Sequence, residues 1–288
     1  MLTLDRVELA DIHNPEALVQ AIYDQKPNMP IPVPIEELVI ANDINKIEKL
    51  VNAPEFVGML ATDESKSYGQ IWVGDMRSTR QRFTVAHEFG HFLLPHHKQM
   101  RYQCSNKDVN QGEQGGTPEA EREWEANRFA AELMLPKRQF VKRLGKIAAP
   151  CLSHVQRLST AFDMSVEATA RRYLSLAGFP CCLVFSKNGI VSKPPARSAD
   201  FNYWLSVSPK QKVPTISTAA IQGKGLDDFT EIHADEWLAT DYKKTPDYIQ
   251  EQTLYQEEGY AITMLWIDDA THEGGDLHDE NEEGIRWR

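Results

Sequence analysis

No stretch of this 288-residue chain stays apolar for the roughly 18 residues that a membrane-crossing helix needs, which excludes a spanning segment of that kind. Cysteine is scarce. The four present, Cys104, Cys151, Cys181 and Cys182, form no CxxC spacing, and the adjacent pair is badly placed to bridge itself. This argues against a cysteine zinc knuckle or a disulfide framework and predicts four reduced packing thiols. Positive charge is also short. Asp and Glu number 42 against 31 Lys and Arg, so the formal net charge is -11, which opposes sequence-independent attraction to nucleic acid. The first residues, MLTLDRVELADIHNP, contain no basic segment followed by an apolar core and a small-residue cleavage site. No export signal is expected, and the chain reads as cytoplasmic.

What is present suits a globular protein. The chain is 41% hydrophobic and 25% charged, enough for one large domain or two smaller ones, and it contains no internal repeat. Its charge is uneven. Between Lys137 and Arg172, eight Lys or Arg face only Asp163 and Glu167, whereas eight of the sixteen residues from Asp268 to Glu283 are acidic. Such runs are expected as a solvated face and a tail.

Along the chain, Asn14-Pro15 has the form of an N-cap followed by proline in the first turn, and Leu18, Val19, Ile22 and Tyr23 make a helical stripe. KPNMPIPVP connects to a short helix, IEELVIAN. The segments KIEKLV, FVGMLAT and YGQIWVG then read as strands. Ser78 or Thr79 is expected to cap a helix running to Leu94 and stopped by Pro95. Arg101 to Thr117 reads as a loop carrying Gly112, Gly115 and Gly116, and Pro118 opens a helix ending at Pro136. After a basic helix, LSHVQRLSTAFDMSVEATARRYLSLAG has the spacing of two helices about a turn at Asp163 to Ser165. Beyond Phe179, CCLVF, a KNG turn, and YIQEQTLY and YAITMLWI joined by QEEG all read as strands.

QRFTVAHEFGHFLLPHH, Gln81 to His97, places four histidines within eleven residues. His87-Glu88-Phe89-Gly90-His91 is an HExxH pattern. Residues four apart lie on one helix face, so two imidazoles reach a single tetrahedral ion, and the glutamate between them is placed to move protons. A third ligand is still needed. His97 stands where some zinc proteases place a third histidine, but that pattern needs glycine at position 94, and here Leu94 precedes Pro95. In EREWEANRFAAEL, Glu123 and Asn127 share a face with Ala130, Ala131 and Met134, whereas Glu125 lies with Phe129 and Glu132. Glu123 as ligand with Asn127 orienting a histidine is the favoured assignment, and Glu125 is the alternative ligand. Glu121 and Glu132 are expected to be solvated, and His96 and His97 to form an exposed helix end.

RFTVAHEFGH followed by EWEANRFAAELMLP resembles the paired motifs of the ImmA/IrrE family of metallopeptidases, over about Ile31 to Pro136. Leu-Met-Leu-Pro stands here in place of that family's Leu-Leu-Met-Pro. The resemblance implies a gluzincin-like site with one Zn2+ held by His87, His91 and Glu123, and Glu88 as general base. It further implies transcription regulation, by site-specific cleavage of a helix-turn-helix (XRE-like) repressor. An α+β fold follows: a zincin-like metallopeptidase domain with the HExxH helix and a small sheet over residues 1–148, a helix-turn-helix-like segment over 149–178, and a strand-rich domain over 179–288. The last of these resembles the GAF-like sensor modules of some family members.

The substrate strand is expected to add to YGQIWVG, and Tyr68, Tyr102 and His154 are candidates for stabilising an oxyanion. The helical segment is read as a brace, since SVEATARRYLSL offers few base-reading side chains; direct DNA binding would instead place Arg171 and Arg172 near phosphates. The alternative to an enzyme is a catalytically silent, zinc-stabilised regulator that binds DNA or a repressor without cutting. Glu88 argues against it, because a structural site has no need of a base.

Overall fold

The computed structural model describes residues 2–53, 56–104, 116–220, 225–226, 228–239 and 245–268. The acidic run beyond Asp268, and Gly112 and Gly115 of the expected loop, lie outside the described residues. Two compact units emerge, one of residues 1–137 and 159–165, the other of residues 138–158 and 166–288.

The first unit carries helices α1 (Arg6–Leu9), α2 (Pro15–Gln25), α3 (Ile35–Ile40), α4 (Ser78–Leu93) and α5 (Pro118–Met134), and strands β1 (Ile44–Leu50), β2 (Gly58–Thr62), β3 (Gly69–Gly74) and β4 (Arg101–Cys104). Capping explains where α2 and α5 begin. Asn14 Oδ1 accepts the amide of Ala17 at 2.8 Å with Pro15 in the first turn, and Thr117 Oγ1 accepts the amide of Ala120 at 3.2 Å with Pro118 behind it. Neither Ser78 nor Thr79 caps α4; it starts after Arg77, whose side chain makes no cap bond.

The sheet runs β1-β3-β2-β4, with β1 and β3 parallel and the other pairs antiparallel. Two expectations change here. Arg101 onward opens as a strand, because its backbone pairs with β2. Strand addition to YGQIWVG is overturned, since β3 is internal and its two edges are taken by β1 and β2.

Helix α4 packs against β2 and β3 and also against α5 and α3, and it is buried at every position from Thr84 to Leu93. Its approach to α5 depends on Gly90. A Cβ there would stand 2.9 Å from Phe129 Cδ1, so any other residue would push the helices apart. Phe89, Phe92 and Phe129 fill the contact, each fully buried and contributing about 1.5–3 kcal/mol by leaving water.

The second unit contains α6 (Lys137–Leu144) except its first residue, residues 152–158 of α7 (Leu152–Phe162), and α8 (Val166–Leu176). Its described residues also hold seven strands: β5 (Cys181–Lys187), β6 (Ile190–Val191), β7 (Ala196–Arg197), β8 (Gly225–Leu226), β9 (Thr230–His233), β10 (Tyr248–Tyr255) and β11 (Tyr260–Trp266). Among the described residues they form one antiparallel sheet, β6-β5-β11-β10-β8, with β7 also on β5 and β9 on β10. The KNG turn joins β5 to β6 with Asn188 and Gly189 both at positive φ. Trp237, Val184, Ile249 and Leu265 are central to its apolar core.

Candidate functional site

Helix α4 sets His87, Glu88 and His91 on one stretch of buried backbone, and all three side chains are fully excluded from solvent. Helix α5 brings Glu123 across from them. His87 Nε2 and His91 Nε2 are 3.1 Å apart, Glu123 Oε2 lies 3.2 Å from the first and Glu123 Oε1 3.3 Å from the second. A tetrahedral ion with nitrogen and oxygen donors at about 2.0–2.1 Å holds neighbouring donors about 3.3 Å apart. The three side chains therefore form a group that could hold a metal ion without rearrangement.

The hydrogen-bond partners agree with that use. His87 Nδ1 stands 3.0 Å from Asn127 Oδ1, an acceptor only, so the ring hydrogen sits on Nδ1 and the Nε2 lone pair faces the metal position. Burial pushes His91 down to about 4; it also lowers His87, where Glu123 and Glu88 overcome it and leave the net shift upward.

Two features around this centre were not legible as site residues. Gly58 on β2 leaves the room that Glu88 occupies, since a Cβ there would stand 2.6 Å from Glu88 Oε1 and collide with Thr84. Lys66 Nζ donates to the carbonyls of His91 and Leu94 at 2.7 Å each, closing the carboxy-terminal end of α4. Asp63 organises that turn by accepting the amides of Ser67 and Tyr68. Burial lowers Lys66 to about 7.

The expectation for His96 and His97 is corrected. His97 is fully buried and His96 partly so, and both Nε2 atoms point to Glu125 Oε2, at 2.7 Å from His96 and 2.9 Å from His97. His96, His97 and Glu125 form a second group of metal-ligating type, adjoining the first through His91 Nδ1 and His97 Nδ1, which are 2.9 Å apart. Glu125 thus sits with these histidines, away from the Nε2 atoms of His87 and His91. Of the other glutamates, Glu121 is exposed, whereas Glu132 is only 13% exposed and pairs with Arg128.

Among the oxyanion candidates, Tyr102 lies with its ring 4.1 Å from that of His91 and stacked on it, and its hydroxyl accepts the amide of Gln99. Tyr68 is 53% exposed. His154 belongs to the second unit, with its Nδ1 3.2 Å from the Tyr173 hydroxyl.

No described helix is long and apolar enough to cross a membrane. The chain resembles in fold a "Mycobacterium tuberculosis transcriptional regulator", with a TM-score of 0.54 and 15% identity, over 91% of this chain and 79% of that one. No curated protein sequence matches. Residues 65–174, which contain α4 and α5 with every candidate ligand named above, match the family model Peptidase_M78, described as an IrrE N-terminal-like domain. That match makes residues 65–174 a metallopeptidase-like domain of the IrrE N-terminal type, in agreement with the resemblance to the ImmA/IrrE family.

Proposed function

We propose that the chain is a zinc-dependent, site-specific endopeptidase acting on a helix-turn-helix transcriptional repressor of XRE-like type in the cytoplasm. The observation that carries this reading is the 3.1–3.3 Å spacing of the His87, His91 and Glu123 donor atoms with Glu88 buried on the same helix. His87, His91 and Glu123 would hold one Zn2+, which when bound supplies Lewis acidity towards a peptide carbonyl and towards water. Glu88 accepts the proton of the attacking water on its carboxylate and returns it to the leaving amine. Asn127 holds His87 in the Nδ1–H form. Tyr102 packs flat against His91 and limits its rotation.

The substrate strand has one well-placed edge to join. Among the described residues, strand β4 is the outer strand beside β2 and contributes Tyr102, whose ring covers His91, so an extended peptide pairing there would lie beside the metal ligands. The family domain and the likeness to a transcriptional regulator support a setting in gene control.

Functionally, the chain divides into a protease at residues 1–148, a bracing helical segment at 149–178 and a GAF-like sensor at 179–288. The brace is favoured over a DNA-reading helix by the arginines of α8. Arg172 is buried, and Arg171 is engaged by Glu167 and lies over the Phe185 ring.

The test is co-incubation of zinc-loaded protein with the helix-turn-helix repressors of its own genome, comparing wild type with Glu88→Gln. Cleavage of one repressor at one bond by wild type alone is expected. Binding of a repressor without cleavage by either form would favour the silent regulator.

A further inference from the structure

The His96, His97 and Glu125 group has the composition of a second metal site, yet its hydrogen-bond accounting assigns it a different task. A carboxylate oxygen only accepts. Glu125 Oε2 lies 2.7 Å from His96 Nε2 and 2.9 Å from His97 Nε2, so both nitrogens carry their hydrogens towards it. A neutral imidazole has one N–H, which leaves His97 Nδ1 as a lone pair. His91 Nδ1 stands 2.9 Å from that lone pair and must be the donor. The single N–H of His91 is then on Nδ1, and its Nε2 lone pair points at His87 Nε2 and Glu123 Oε1. The same accounting closes on the outer side, where His96 Nδ1 lies 3.3 Å from His13 Nδ1 and accepts from it.

We propose that Glu125, acting through His97, fixes the tautomer of His91 and so presents the His91 Nε2 lone pair to the metal position. Both are positioning residues, and the inference rests on the reading of His87, His91 and Glu123 as metal ligands. It gives the two ligand histidines matching supports of unequal length: Asn127 orients His87 in one step, and Glu125 orients His91 in two. His97 is suited to this as an intermediate because it is fully buried and lies near the Tyr102 ring that covers His91.

The accounting also opposes a second ion. A metal on His97 Nε2 would drive the hydrogen of His97 to Nδ1, where it would face His91 Nδ1. His91 would then have to protonate Nε2, inside the first site. With neutral imidazoles, the two groups cannot both hold metal.

The test uses the full chain and reads metal and protons rather than cleavage. Zinc content is measured after loading, and zinc affinity by competition with a chromophoric chelator, for wild type, His97→Phe, His97→Gln and Glu125→Ala. One zinc per chain is expected in wild type. His97→Phe and Glu125→Ala should weaken zinc by about 10–100-fold, the usual effect of removing a supporting partner of a metal ligand. His97→Gln should recover most of that loss, because its side-chain carbonyl can accept from His91 Nδ1.

Long-range proton–nitrogen spectra of wild type labelled in histidine should find His97 protonated on Nε2, and this reading stands even if a variant fails to fold. Wild-type affinity in both His97→Phe and Glu125→Ala, His97 protonated on Nδ1, or two zinc ions of which Glu125→Ala loses one would each overturn the proposal. A wild type that takes up no zinc would instead refute the metal reading, and the His97 tautomer in that protein would still decide the relay.

Discussion

Two carboxylates, one in each unit, stand in opposite surroundings. Glu251 on β10 is 1% exposed and accepts from Ser217 Oγ at 2.9 Å, Thr218 N at 2.8 Å, Thr218 Oγ1 at 2.5 Å and Trp237 Nε1 at 2.5 Å. Glu123 on α5 instead faces two imidazole nitrogens whose hydrogens the surrounding bonds place elsewhere. Burial therefore does not by itself mark a functional acid. A carboxylate surrounded by donors ties neighbouring segments to its strand, whereas one aimed at lone pairs would be stabilised by a cation between them.

Five experiments test that contrast and the site around it, beginning with the largest effect. Glu88→Gln should lower cleavage by about 10²–10⁴-fold while zinc content stays at the wild-type value, since only proton transfer is removed. Zinc retained with cleavage intact would remove Glu88 from the chemistry. Glu123→Ala should abolish stoichiometric zinc and leave the urea midpoint of the zinc-free protein close to wild type. Glu251→Ala should do the reverse, keeping zinc and costing about 1–3 kcal/mol of stability for donors left unsatisfied in the core. If Glu251→Ala lost zinc and kept its stability, the contrast between the carboxylates would fail.

Gly58→Ala comes next. The added methyl meets Thr84 and Glu88 Oε1, so about 1–3 kcal/mol of overpacking is expected in urea titration, with slower cleavage as the displaced Glu88 loses its position. The smallest effect is chemical. Burial raises the Cys181 thiol far above its ordinary value and pushes Cys182 up to about 12, whereas Cys151 is only partly buried. Thiol reagents should modify Cys151 before Cys181 and Cys182 in the native chain, and mass spectrometry of early time points finding either of those two modified ahead of it would contradict this burial pattern.

Much of the candidate site was readable from local rules. The i, i+4 spacing of His87 and His91, the proline-led start of α5, and the shared face of Glu123 and Asn127 all follow from helix geometry and capping, which act over a few residues. Glu125 was harder to assign for a physical reason. On the helix it differs from Glu123 by two positions, a different face, and the partner on that face comes from residues just past the end of α4. Nothing local to His96-His97 signals that Lys66 and Tyr102 close over that end of the helix and bury it.

The sheet divides the same way. Alternation identified β2 and β3 as strands, since it reflects which side chains face the core. Strand order depends on pairings between distant segments, so the internal place of β3 and, among the described residues, the outer place of β4 could not be read from the segments singly. Composition and periodicity determined which residues could ligate, because ligand chemistry belongs to the side chain and spacing to the helix. Tertiary structure decided which nitrogen of each histidine keeps its hydrogen, because that is set by the atom placed opposite: Asn127 for His87, and His97 with Glu125 behind it for His91.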